Sequence, residues 1–153
     1  MNVILCGMPG SGKSHLGKKA AQELNCHFID TDRIIEQRGH TSCAEIVLKN
    51  GESYFRELER RVICELEGVQ NTVIALGGGA LSSKEIIYFL RKLGILIYLI
   101  VPLSALKKPL PSFLKDRTYE EVFEERHLIY KQACHLSGDR ENVFKMMRRI
   151  YGK

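Results

Sequence analysis

Residues 7–14 read Gly7-Met8-Pro9-Gly10-Ser11-Gly12-Lys13-Ser14, match the pattern G-x-x-x-x-G-K-[ST], and constrain the rest of the chain. A short apolar run, residues 2–6, precedes them, and a segment with helical spacing at Leu16, Ala20 and Leu24 follows. A strand that feeds a glycine-rich turn into a helix lets backbone N–H groups surround phosphate oxygens, and the helix N-terminus adds its positive end. On that reading Lys13 reaches the β- and γ-phosphates and the Ser14 hydroxyl holds Mg²⁺. The alternative is a turn that caps a helix and binds nothing. At ordinary glycine usage a chance match is on the order of one in a few hundred for a chain this long.

Beyond the turn, short apolar runs alternate with helical patterns. Strands are expected at residues 2–6, 27–29, 72–76, 95–100 and, more weakly, 135–137. Helices are expected over Lys13–Leu24, from Ile34 to Gly39, from the capping box Ser42-x-x-Glu45 to about Lys49, and over Glu52–Glu67. Three more should run from Ser82-x-x-Glu85 to Gly94, from Thr118-x-x-Glu121 to about Ala133, and from about Arg140 to Tyr151. This alternation predicts an α/β protein, with a parallel sheet between two helical layers. No linker, repeat or low-complexity stretch interrupts it, so residues 1–153 are read as a single domain.

Composition narrows the class further. Apolar residues make up 44% and charged residues 27%, as in ordinary globular proteins, which excludes a disordered or collagen-like chain. No apolar run reaches 18 residues, so no transmembrane helix is expected, and no signal-peptide pattern is visible. The cysteines Cys6, Cys26, Cys43, Cys64 and Cys134 are odd in number and form no C-x-x-C pair. Reduced thiols and a cytoplasmic address are the expectation. The net charge of +5 is scattered; its densest group, Lys145, Arg148, Arg149 and Lys153, suits the exposed end of a last helix. Neither a nucleic-acid nor a membrane partner is expected, and the absence of an N-K-x-D motif weighs against a GTPase.

Several side chains have two readings. Asp30 and Asp32 alternate, so in an extended segment both would face one cleft, one supporting Mg²⁺ and the other orienting a hydroxyl and taking its proton. The same residues would also serve as a helix N-cap and a solvated acid. Arg56 and Glu59 lie three apart on a helix, either as a surface ion pair or as a guanidinium steadied toward an acidic substrate. Gly77-Gly78-Gly79 is either a plain loop or a place where backbone meets a ligand, and Arg126 taken alone is a solvated helix charge.

Together, the phosphate loop, Asp30-Thr31-Asp32, Phe55-Arg56-Glu57-Leu58-Glu59, Leu76-Gly77-Gly78-Gly79 and Glu125-Arg126-x-x-x-Tyr130 resemble the shikimate kinases in order and spacing over nearly the whole chain. The resemblance implies a nucleoside-monophosphate-kinase-like P-loop fold, α/β/α in three layers with a five-stranded parallel sheet and a short lid at about 102–117. It implies transfer of the ATP γ-phosphoryl group to the 3-hydroxyl of shikimate, giving shikimate 3-phosphate and ADP in aromatic amino-acid biosynthesis. Asp32, Arg56, Gly78 and Arg126 would contact shikimate, with Asp32 also the base. Gly10, Ser11, Gly12, Lys13, Ser14 and His15 would hold ATP, and Ser14 with Asp30 would support Mg²⁺. Lys108 would join Lys13 and Asp32 in catalysis and also touch ATP, and Arg140 would lie by the adenine. ATP and shikimate are the implied partners of a monomer.

The lid departs from the family pattern. The usual Arg-Pro-Leu-Leu is Lys108-Pro109-Leu110-Pro111 here, on a connection several residues short, and His15 stands where Thr is common. Lysine supplies a point charge without a planar fork, which bears on lid closure and water exclusion. Two other readings therefore stay open: a P-loop kinase for a different small molecule, and an ATP-binding module with an impaired lid.

Overall fold

In the computed structural model, which describes residues 1–106, 110, 114 and 116–153, the central strand β1 (Asn2–Cys6) is buried throughout its length. Its side chains alternate between two cores. Val3 and Leu5 face α1 (Lys13–Leu24) and α7 (Arg140–Ile150), which supply Leu16, Ala20, Leu24, Val143 and Met147. Ile4 and Cys6 face the other layer, where α5 (Lys84–Leu93) gives Ile86 and Leu90 and α6 (Tyr119–Ala133) gives Val122 and Tyr130. A strand covered on both faces has no polar side, which accounts for the unbroken apolar runs in the sequence.

β2 (His27–Asp30), β3 (Thr72–Ala75), β4 (Ile95–Leu99) and β5 (Leu136–Gly138) complete a five-stranded parallel sheet in the order β2-β3-β1-β4-β5. The expected three-layer architecture is therefore present. Winding changes direction at β1, and in open parallel sheets the ligand crevice opens at the carboxyl ends of the strands around such a point. α2 (Thr31–Gly39), α3 (Cys43–Asn50) and α4 (Glu52–Cys64) pack on one another through Ile35, Ile46, Phe55 and Val62 and wall one side of that crevice.

Local chemistry moves a few boundaries. Ser42 and Thr118 cap α3 and α6 as expected, accepting from the amides of Glu45 and Glu121. At α5 the cap is Ser83 rather than Ser82: Ser83 is the extended residue, and its hydroxyl accepts from the Ile86 amide at 3.2 Å. α4 stops at Cys64 instead of Glu67, although Leu66 still reaches the core from the turn that follows. The last strand is centred one residue later than expected, pairing Leu136–Gly138 with Ile97–Leu99. Lys145, Arg148, Arg149 and Lys153 are exposed on and after α7. Lys108, Pro109 and Pro111 lie outside the described residues, so the lid expected at 102–117 is described only in part. Among the described residues no helix is long and apolar enough to cross a membrane.

Candidate active site

The phosphate loop leaves β1 at Gly7 and enters α1 through Gly12, whose φ of 89° lies in the left-handed region that glycine adopts without a steric penalty. Gly12 offers no side chain to cap α1, so the helix begins with its first amides directed to the crevice. Lys13 folds back over the loop. Its ammonium donates to the Gly7 carbonyl at 2.8 Å and the Met8 carbonyl at 2.9 Å, with the Ser11 hydroxyl at 3.5 Å. Burial is the main reason its pKa falls from 10.5 to about 8; the negative charge of Asp32 opposes that fall.

Asp30 caps α2 and also lines the crevice. One oxygen accepts from the Arg33 amide at 3.3 Å and caps α2, while the other accepts from the Ser14 hydroxyl at 2.5 Å. Asp32 reaches the crevice by a route other than strand alternation. The chain becomes helical at Thr31, so Asp32 stands on the first turn of α2, and the buried Thr31 hydroxyl donates to the Ala75 carbonyl at 3.4 Å. Burial raises the Asp32 carboxyl to about 6, helped by the like charges of Glu59 and Asp30 and opposed by Lys13. Its Oδ1 is buried without a hydrogen-bond partner, which marks an acceptor suited to a ligand hydroxyl.

Arg56 and Glu59 are not a surface pair. Glu59 is only 2% exposed, and its Oε1 accepts from Arg56 Nη1 at 2.9 Å, while Glu52 lies 3.7 Å from Nη2. Burial raises the Glu59 pKa and Arg56 pulls it back. The glycine triplet is packed against this machinery. A Cβ at Gly77 would lie 2.6 Å from Asp32 Oδ1, and one at Gly78 would lie 2.8 Å from the Pro9 ring and 3.0 Å from Arg126 Nη1. At Gly79 a Cβ would collide with the Arg56 guanidinium.

Gly79→Ala should therefore displace Arg56. A misplaced charged hydrogen bond of ~1.5–3 kcal/mol corresponds to an acceptor KM about 10- to 150-fold higher. Steady-state kinetics with unchanged acceptor KM would contradict this.

Lys13, Asp32, Arg56, Gly78 and Arg126 line one cavity of about 620 Å³, with Gly10, Gly12, Ser14, His15 and Asp30 at its phosphate-loop end. Arg126 is thus brought to the crevice and is not merely a solvated helix charge. Ser11 is buried within the loop. His15 lines the cavity and Arg140 does not; the two meet beside Gly12, where the guanidinium donates to His15 Nδ1 at 2.6 Å. Pro9, Phe28 and Cys43 also line the cavity without having been expected there. The buried Tyr130, named above only as a motif position, donates its hydroxyl proton toward the carbonyls of Gly7 and Gly78. Its spacing of four residues from Arg126 was the available signal, since i and i+4 share a helix face.

The profile of the family described as "Shikimate kinase" matches residues 9–150. The chain belongs to the shikimate kinase family. A shikimate kinase of Clostridium botulinum is 41% identical over 142 residues, covering 86% of this chain and 84% of the relative. The crystal structure of a shikimate kinase from Bacteroides thetaiotaomicron superposes with a TM-score of 0.86 at 27% identity, covering 100% of this chain and 99% of that one. A shikimate kinase from Acinetobacter baumannii, solved in complex with shikimate, gives 0.85 at 26% identity, with 99% and 93% covered.

Proposed function

We propose that this chain transfers the γ-phosphoryl group of ATP to the 3-hydroxyl of shikimate, releasing shikimate 3-phosphate and ADP. The observation that supports it most is the single cavity that joins the Lys13 phosphate loop to Asp32, Arg56 and Arg126. In-line transfer needs a polyphosphate held at one end, a hydroxyl at the other, and few protein groups that react covalently. The loop amides and Lys13 hold the phosphates. Arg56, steadied by Glu59, and Arg126 supply two planar forks suited to the shikimate carboxylate. Gly78 provides backbone beside Arg126. The unpartnered Oδ1 of Asp32 accepts the acceptor hydroxyl and takes its proton.

Ser14 and Asp30 are hard oxygen donors already in contact at the phosphate end, and this donor set fits Mg²⁺. When bound, the ion would neutralise phosphate charge. His15 and Arg140 are assigned to the nucleotide side because they meet beside Gly12. Lys108 is assigned to ATP and catalysis on the sequence resemblance.

A monomer of one domain acting on ATP and shikimate is read from the family resemblance. A cytoplasmic place in aromatic amino-acid biosynthesis is read from the family resemblance.

A coupled ADP-release assay with Mg-ATP tests the proposal. Shikimate-dependent ADP formation is expected. Turnover on a different hydroxy acid, or ATP binding with no turnover on any hydroxyl acceptor, would replace this reading with one of the two alternatives. Arg56→Ala should weaken shikimate by about 10- to 150-fold, the equivalent of one charged hydrogen bond, with ATP affinity unchanged. An unaltered shikimate KM in that variant would remove Arg56 from the acceptor site.

A further inference from the structure

Tyr130 is 2% exposed, and its hydroxyl faces two backbone carbonyls that belong to opposite halves of the cavity. Gly7 O, at 3.1 Å, opens the phosphate loop and also accepts from Lys13 Nζ at 2.8 Å. Gly78 O belongs to the glycine triplet beside Arg126 and Pro9. A phenol has one proton, so a bond strengthened toward one carbonyl is weakened toward the other. The ring packs at a tilt on Tyr98, with centroids 4.8 Å apart, and its hydroxyl lies between the two carbonyls. Arg126 lies one turn earlier on that helix.

Phosphate at the loop would draw the Lys13 ammonium from Gly7 O, and the only other side-chain donor to that carbonyl among the described residues is Tyr130. Resting on the function proposed above, we infer that the Tyr130 hydroxyl is a positioning group that couples nucleotide binding to acceptor binding by sharing its proton between the Gly7 and Gly78 carbonyls.

The test is the ratio of shikimate Kd without and with a non-hydrolysable ATP analogue, by calorimetry on the full chain. Coupling of this kind typically changes affinity about 5- to 150-fold. We expect such a ratio in the wild type, and a ratio within about twofold of one in Tyr130→Phe. Tyr98→Phe removes a hydroxyl from the same ring stack and should keep the wild-type ratio. A merely structural role for Tyr130 would lower stability, or both affinities, and leave the ratio intact; that result overturns the inference. A wild-type ratio of one also overturns it. Should Tyr130→Phe not fold, the wild type labelled with ¹³C at tyrosine Cζ decides: the buried Tyr130 signal should shift with nucleotide alone and with shikimate alone, and indifference to either ligand defeats the inference. Failure of shikimate to bind under any condition overturns the functional proposal as well, whereas binding of both ligands with an unchanged ratio overturns only the coupling.

Discussion

Asp32→Asn should lose activity and gain stability. Replacing the base at the acceptor end is expected to lower kcat by about 10²–10⁴, the usual worth of a positioned general base. The stability change has the opposite sign because of how the carboxyl is held. Burial, with Glu59 and Asp30 nearby, raises the Asp32 pKa from 3.8 to about 6 in the folded chain. Between those values the folded state binds more protons than the unfolded state, so stability falls as pH rises through that window. Above pH 6 the whole penalty for a buried, crowded carboxylate is present. Asparagine cannot ionise and escapes it, so the variant should exceed the wild type by up to ~3 kcal/mol at pH 7 and by nothing from this source below about pH 4. Urea unfolding at pH 4 and pH 7 reads that difference. In the wild type, kcat/KM for shikimate should fall below about pH 6 as Asp32 takes up its proton. An Asp32→Asn protein that is equally active, or one no more stable at pH 7 than at pH 4 relative to wild type, would remove the strained base from the mechanism.

The stability cost at Asp32 also explains what the sequence could and could not disclose. The sheet was legible because β1 from Val3 onward and β4 are covered on both faces and read as unbroken apolar runs. The phosphate loop was legible because Gly12 and Lys13 act within a few residues of each other. Asp32 was found for a partly mistaken reason: alternation along a strand was expected, but Thr31 turns the chain into α2 and a helix carries the carboxyl. The burial of Glu59 was beyond reach, since spacing along α4 shows that Arg56 can meet it but not that Glu59 is buried while Arg56 faces the cavity beside Gly79. The sequence favours Ser82 as the cap of α5 because Ser82-x-x-Glu85 fits the capping-box pattern and Ser83-x-x-Ile86 does not; the extended backbone at Ser83 decides otherwise. The sequence shows Tyr130 as a motif position without a role, because its hydroxyl meets the backbone carbonyls of Gly7 and Gly78, and carbonyls leave no mark in a sequence.

Lys13→Met should remove phosphoryl transfer while leaving the fold nearly as stable as before, because two effects oppose each other. The ammonium is the only side-chain cation bonded to the phosphate-loop backbone among the described residues, and losing one preorganised donor of this kind costs about 10²–10³ in rate. Methionine of similar length relieves the burial that lowers the Lys13 pKa to about 8. Because the folded pKa lies below the unfolded 10.5, the unfolded chain binds more protons between those values, and wild-type stability rises with pH across that range. Against this relief, the substitution removes the charged hydrogen bonds from Lys13 to the Gly7 and Met8 carbonyls, each worth ~1.5–3 kcal/mol, although Gly7 keeps Tyr130 as a donor and Met8 keeps the Ser11 amide. The melting temperature at pH 7 should therefore move little, and the wild type should gain on the variant between pH 8 and 10. Nucleotide binding reports the same proton from the other side. A polyphosphate favours the charged ammonium, so ATP affinity of the wild type should decline above about pH 8 with proton uptake on binding, and Lys13→Met should show a flat profile. Calorimetry in two buffers of different ionisation enthalpy measures that uptake; an equal pH dependence in both proteins would mean that the lysine keeps its charge throughout and that burial does not govern it.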